Sequence, residues 1–416
     1  MRDDTAGNRL IAGRASRRAA MGGLAASGLA LAAAGITRGG GQDAVLAQEA
    51  TPAAAPGMDH AAAPQVFAPE PGAPLLVRKS AAALTPEERT DYVNAVLALK
   101  KKPSPWADGL SVYDTFVMWH RDSSSCAVMA GHTGPAFLPW HRVFLRLYEE
   151  QLRSVDPDVT LPYWDWTVDN GTGAPIWTDD FMGGDGDPAA EMAVTSGPFR
   201  KGAWEITVFD YDDAVRSPFI VRGLGSGFMA PDLPAAAEVE AALAIGTYDA
   251  APWTSLVSAK RSFRQNLEGW RDCVREVCDP MNGMSPTCTG AHALHNGVHL
   301  WVSGEFRLAH ETPREAGPAA TPGPATVIPG TNPREDLMGT MAANTSPNDP
   351  VFWLHHANVD RIYQMWLDRH GPDYQPVTGG PYGHNLHDSM WPYNHIGLVA
   401  TPAMTFSTEG MGYRYE

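Results

Sequence analysis

Cysteine is scarce in this 416-residue chain: four residues, at positions 126, 273, 278 and 288. No two of them stand as C-x-x-C, so the pattern of a cysteine-built zinc site is missing. Positive charge is in the minority too, with 31 Lys and Arg against 47 Asp and Glu and a formal net charge of −16. An acidic surface repels phosphate backbones, which argues against general nucleic-acid binding. Long apolar runs are also lacking. The nearest approach, from Ala19 to Ile36, is interrupted by Gly22, Gly23, Ser27, Gly28 and Gly35, and leaves no stable membrane span in the mature chain. No internal repeat recurs at solenoid spacing. What is present is 44% hydrophobic residues against 19% charged ones, enough apolar surface for a large buried core. The surplus lies in 13 Trp and 14 His.

The N-terminus reads as an address. Arg14, Ser16, Arg17 and Arg18 precede the weakly apolar stretch in the manner of a twin-arginine export signal, and Val45 and Ala47 suit a signal peptidase. Residues 1–47 are therefore expected to direct export to an extracellular or periplasmic location. Residues 48–74 carry Pro52, Pro56, Pro64, Pro69, Pro71 and Pro74, bury little and read as an Ala/Pro-rich tether. The folded domain is expected to span 75–416, with insertions at about 269–291 and 305–335. Export permits disulfides, and two are expected, their pairing open.

Helical signals dominate the folded part. Thr85-Pro86-Glu87-Glu88 reads as a capping box with Pro in the first turn. Further helices are expected over about Gly109–His120, after Pro139, over about Ser255–Trp270, over Ala291–Trp301 and from Asp349-Pro350 onward. Few runs alternate as strands do, so the fold class is mainly α, with long irregular loops. Residues 311–335 read as a surface insertion and 371–416 as an irregular wrap.

Histidines gather in two groups: His120, His132 and His141, then His295, His299 and His356. His295 and His299, four apart on a helix, face one side together. A zinc protease needs Glu directly after the first His, and Asn296 stands there instead. Two sets of neutral imidazoles without carboxylate disfavour Mg, Ca and Mn. Six neutral ligands leave the charge of two divalent ions uncompensated, which favours a metal with a stable monovalent state: copper.

Phe137-Leu138-Pro139-Trp140-His141-Arg142 with Leu161-Pro162-Tyr163-Trp164-Asp165-Trp166 resembles the first copper region of tyrosinases. His295-Asn296-Gly297-Val298-His299-Leu300-Trp301 and Ser346 through His355-His356 to Asp360-Arg361 resemble the second. The resemblance covers roughly 72–416 and is to bacterial, actinomycete-type tyrosinases and polyphenol oxidases, the type-3 dicopper family. It implies a four-helix bundle holding a dicopper centre. His120, His132 and His141 would bind one copper; His295, His299 and His356 the other, with His355 beside them and Phe352 packed against the site. Tyr413-Arg414-Tyr415 resembles the Tyr-x-Tyr motif that closes the catalytic domain in this family, with Arg78 a cation–π partner for its rings.

The implied chemistry uses two copper ions and O2 as co-substrate to ortho-hydroxylate a small phenolic substrate and to oxidise the o-diphenol to an o-quinone. Hydroxylation needs loss of the phenol proton, whose pKa is near 10. By resemblance, Glu268 and Asn296 would hold the water that takes it. Leu300, Met338, Met341 and Ala342-Ala343-Asn344 are expected to line the cavity. The alternative is a catechol or o-aminophenol oxidase with little monophenol activity. An oxygen carrier like haemocyanin is the third reading, and no repeat units support it. A copper-delivery helper protein is an expected partner.

Overall fold

The computed structural model describes residues 67–416 except 125–129, 208–217, 228–229, 256, 258, 271–272, 275–286, 289–292, 309–326 and 330–336. All described residues lie in the unit Asp59–Glu416. The export segment, most of the tether, Cys126 and Cys278 lie outside them.

Seven α-helices are described: α1 (Pro86–Lys101), α2 (Val112–Ser123), α3 (Phe137–Arg153), α4 (Ala236–Leu243), α5 (Phe263–Glu268), α6 (Leu294–Ser303) and α7 (Val351–His370). Several begin or end for a local reason. Thr85 Oγ1 accepts from Glu88 N (3.2 Å) while Thr85 N donates to Glu88 Oε2 (2.9 Å), the reciprocal cap expected for α1. Ser111 caps α2 through Asp114 N (3.0 Å). α6 stops at Gly304 and α7 at Gly371, both at positive φ.

The helix expected over Ser255–Trp270 is much shorter. Ser262 is extended, its side chain caps Gln265 N, and only Phe263–Glu268 is helical before Gly269 turns left-handed at φ 82°. A side chain at Gly269 would meet the Ala293 carbonyl oxygen at 1.7 Å, so only glycine fits this crossing. α4 carries no strong periodic signal in the sequence.

The four helices α2, α3, α6 and α7 form the bundle. Between α2, α3 and α7 lies an aromatic core: Tyr148 stacks on Trp353 (centroids 3.5 Å apart), Phe144 on Trp353 (5.1 Å), and Phe116 meets both Phe144 and Trp353 edge-on. Tyr113 OH accepts from Trp353 Nε1 (3.1 Å) and donates to the Pro347 carbonyl, which satisfies both of these polar groups.

Strands are short. β1 (Leu76–Arg78) pairs in parallel with β9 (Tyr413–Tyr415), joining the two ends of the domain. β2 (Gly186–Asp187) and β3 (Ala193–Val194) form a small antiparallel pair. β4 (Cys273–Val274) pairs with β5 (Thr287–Cys288), placing Cys273 opposite Cys288 in the register. β6 (Glu305–Leu308) lies between β7 (Val327–Pro329) and β8 (Leu337–Met338). Within the segment read as a surface insertion, Val327–Pro329 pairs with β6 as a strand. Residues 371–416 wrap the core in short 3-10 turns, as expected. Among the described residues no helix is long and apolar enough to cross a membrane.

Candidate metal centre

Each histidine singled out in the sequence reaches the centre of the bundle. His120 rides the last turn of α2, and His141 the second turn of α3. His295 and His299 share one side of α6, and His356 sits on α7. His132 comes from the connection between α2 and α3. Potential donor atoms of His120, His132 and His141 lie within 4.8 Å of one another, and so do those of His295, His299, His355 and His356. The two groups touch: the rings of His141 and His356 stack at 4.3 Å.

The ring nitrogens are sorted by their surroundings. Carbonyls meet Nδ1 of His120 (Asn344, 2.7 Å), His141 (Phe137, 2.8 Å), His299 (Met341, 2.7 Å) and His295 (Glu268, 3.3 Å). Ser124 Oγ meets Nδ1 of His132 at 3.0 Å. A carbonyl can only accept, so those four rings carry the proton on Nδ1 and leave the Nε2 lone pair free. Nε2 of His120 and of His141 is buried without a hydrogen-bond partner among the described residues. In the second group, His356 Nε2 lies 3.1 Å from His299 Nε2 and 3.3 Å from His295 Nε2. Nitrogens about 2.0–2.1 Å from one tetrahedral ion sit about 3.3 Å apart, so this convergence fits a metal.

Burial keeps the rings neutral. It lowers the pKa of His120 to about 3 and of His299 to about 4. His132, His141, His295 and His356 are pushed well below the usual imidazole value by burial first and by neighbouring imidazoles second. Two trios of neutral nitrogen donors, without carboxylate or thiolate, fit copper.

The sequence profile described as the common central domain of tyrosinase matches residues 110–369. The chain belongs to the tyrosinase family. It is 36% identical over 346 residues to the tyrosinase of Streptomyces lincolnensis, covering 80% of this chain and all of that one. It is 31% identical over 352 residues to the grixazone synthase of Streptomyces griseus, covering 79% and 95%. A solved polyphenol oxidase variant of Thermothelomyces thermophila shares the fold, with a TM-score of 0.50 at 22% identity over 82% of this chain and 89% of that one. As a tyrosinase-family enzyme the chain is a phenol oxidase of the actinomycete type, with a type-3 dicopper centre and O2 as co-substrate.

The other residues singled out fall at different distances from this tyrosinase centre. Phe352 packs on His356 (4.1 Å) and His120 (4.8 Å). His355 is fully buried, with its ring 4.9 Å from His299 and 5.3 Å from His295. Asn296 is buried, and its Nδ2 has no partner among the described residues. Glu268 is fully buried, and its carboxylate is engaged by Thr133 N, Ser255 Oγ and Arg264 Nη1. Met341 and Asn344, expected along the cavity wall, act on the centre through their carbonyls, which orient His299 and His120. Those backbone acceptors, and Ser124 and Thr133, escaped the sequence reading because no side-chain pattern marks them.

Proposed function

We propose that this phenol oxidase ortho-hydroxylates monophenols and oxidises the resulting o-diphenols to o-quinones. Bound copper supplies paired one-electron steps between O2 and the aromatic ring. The protein's own task is to bind the ring, exclude water and take the phenol proton. A carboxylate has about four lone-pair directions. Thr133 uses one on Glu268 Oε1, while Ser255 and Arg264 use Oε2, so Oε1 retains one direction for a water. Asn296 follows His295 in the chain and offers an unpartnered Nδ2. Together they support a water held beside the second trio as proton acceptor. The observation that carries the reading is this buried, unspent amide next to a copper ligand.

A second reading is a catechol or o-aminophenol oxidase with little monophenol activity. It is favoured by the pairing of Glu268 with Arg264 (2.8 Å), which already engages the carboxylate within the protein. The copper-loaded protein, given a monophenol and the matching o-diphenol separately, decides between them by O2 uptake and quinone absorbance. Turnover of both supports hydroxylation; turnover of the diphenol alone replaces it with the second reading.

Export by the Arg17-Arg18 signal belongs to this proposal. Two disulfides, their pairing open, are expected outside the cytoplasm. Activity retained inside the producing cell, with 1–47 still attached, would contradict export. Loading by a copper-delivery helper is proposed too; full copper uptake by the purified chain alone would remove it.

A further inference from the structure

Thr133, the residue after His132, has a left-handed backbone at φ 58°. A side chain branched at Cβ rarely adopts this conformation, and something must hold it there. Its own hydroxyl does not, since Oγ1 is buried without a partner among the described residues. The hold comes from α5 and the segment that precedes it. Glu268 Oε1 accepts from Thr133 N at 2.5 Å, and the Thr133 carbonyl accepts from Ser255 N at 3.1 Å. Ser255 Oγ and Arg264 Nη1 both donate to Glu268 Oε2, and Arg264 is forked onto Asp249 (2.8 and 2.9 Å). The side chains of Glu268, Arg264 and Asp249 form buried ion pairs, and Ser255 is fully buried, so this frame is rigid. From the other end of the same residue, the Glu268 carbonyl accepts from His295 Nδ1 at 3.3 Å.

We propose that Glu268 is a positioning residue shared by both copper half-sites: its carboxylate locks Thr133 in the left-handed conformation that aims His132 at the first copper, and its carbonyl orients His295 toward the second. The role concerns metal retention and is separate from any handling of the phenol proton by the same carboxylate. Glutamine at 268 is close in size and leaves Arg264 its pair with Asp249. Its single oxygen cannot accept from Thr133 on one side and from Ser255 and Arg264 on the other. Glycine at 133 adopts positive φ without strain and needs no lock.

The test compares wild type, E268Q, T133G and the E268Q/T133G double variant. Each is loaded with copper and challenged with a Cu(I) chelator, with the copper released followed against time. Circular dichroism of the metal-free proteins checks that each variant folds. E268Q is expected to release one of its two coppers about tenfold faster than wild type. T133G alone is expected to release copper as wild type does, and the double variant to return to within about threefold of it. Unchanged release from E268Q overturns the proposal. So does fast release that T133G fails to rescue, because the loss then comes from the removed charge and not from the backbone lock. The water-holding reading is scored separately, by the monophenol-to-diphenol ratio of the rescued double variant, and can fail while positioning stands.

Discussion

Arg142 donates through Nε to Asp360 Oδ1 and through Nη2 to the Asp360 carbonyl at 3.1 Å, so the residue after His141 is tied to the residue one turn beyond His356. The two histidine trios are thereby fixed relative to each other, by a charged pair sealed in the core. The other oxygen of Asp360 accepts from the hydroxyls of Tyr413 and Tyr415, each at 2.6 Å, and from Arg78 Nη1 at 3.4 Å. Arg78 lies 3.7 Å over the Tyr413 ring and is forked onto Glu149 of α3. The parallel pair of β1 and β9 thus closes directly onto the helices that carry His141 and His356.

Removing Asp360 leaves Arg142 and Arg78 short of a buried counter-charge. The cost of breaking such a pair is about 3–5 kcal/mol. Asp360→Ala is expected to lower the thermal midpoint of the metal-free protein substantially and to reduce copper loading. Calorimetry and elemental analysis check both; a midpoint near wild type would show that the pair does not hold the helices.

Arg78→Lys tests the fork and the stack rather than the charge. Lysine offers no planar pair of N–H groups to Glu149 and no flat face to Tyr413. The expected loss is about 1–3 kcal/mol in denaturant unfolding, with Tyr413→Phe losing about 1 kcal/mol for its single hydrogen bond to Asp360.

Adjacent His355 and His356 make opposite predictions. His356 Nε2 joins the other two ε nitrogens, whereas the ring of His355 stacks beside His295 without a properly directed hydrogen bond. His356→Ala is expected to hold one copper per chain. His355→Phe, which keeps an aromatic ring in the same space, is expected to hold two. Copper counting after gel filtration reads both.

Acid should destabilise the metal-free protein through its buried imidazoles. Their folded pKa values lie below the unfolded value of about 6.5, at about 3 for His120 and about 4 for His299, because burial disfavours the charged form. As pH falls below about 6.5 the unfolded chain takes up protons that the folded chain refuses. Stability is therefore full above that pH and declines toward the folded values. Thermal melts of the metal-free protein from pH 8 to pH 5 should show a falling midpoint; a flat profile across pH 6.5 would contradict neutral burial of the six rings.

The histidines that gather at the bundle centre were legible in the sequence because metal chemistry restricts residue type and spacing. His295 and His299 announce their shared helix face, and His356 lies within a long motif on α7. The capping box at Thr85 was readable for the same local reason. Glu268 was legible as a residue but its partners were not. Thr133 and Ser255 lie 135 and 13 residues away in sequence, and only the fold brings them to one carboxylate. The overlong helix expected at 255–270 failed at the same place: Ser262 and Gly269 cap it on both sides, and the tertiary frame around Arg264 takes the preceding residues instead.

The central claim is that six imidazoles hold a pair of copper ions, and elemental analysis of the purified, active protein tests it most directly. Two coppers per chain, falling together with o-diphenol oxidation when a chelator removes them and returning with added copper, is the predicted result. Full activity at one copper or none would contradict it.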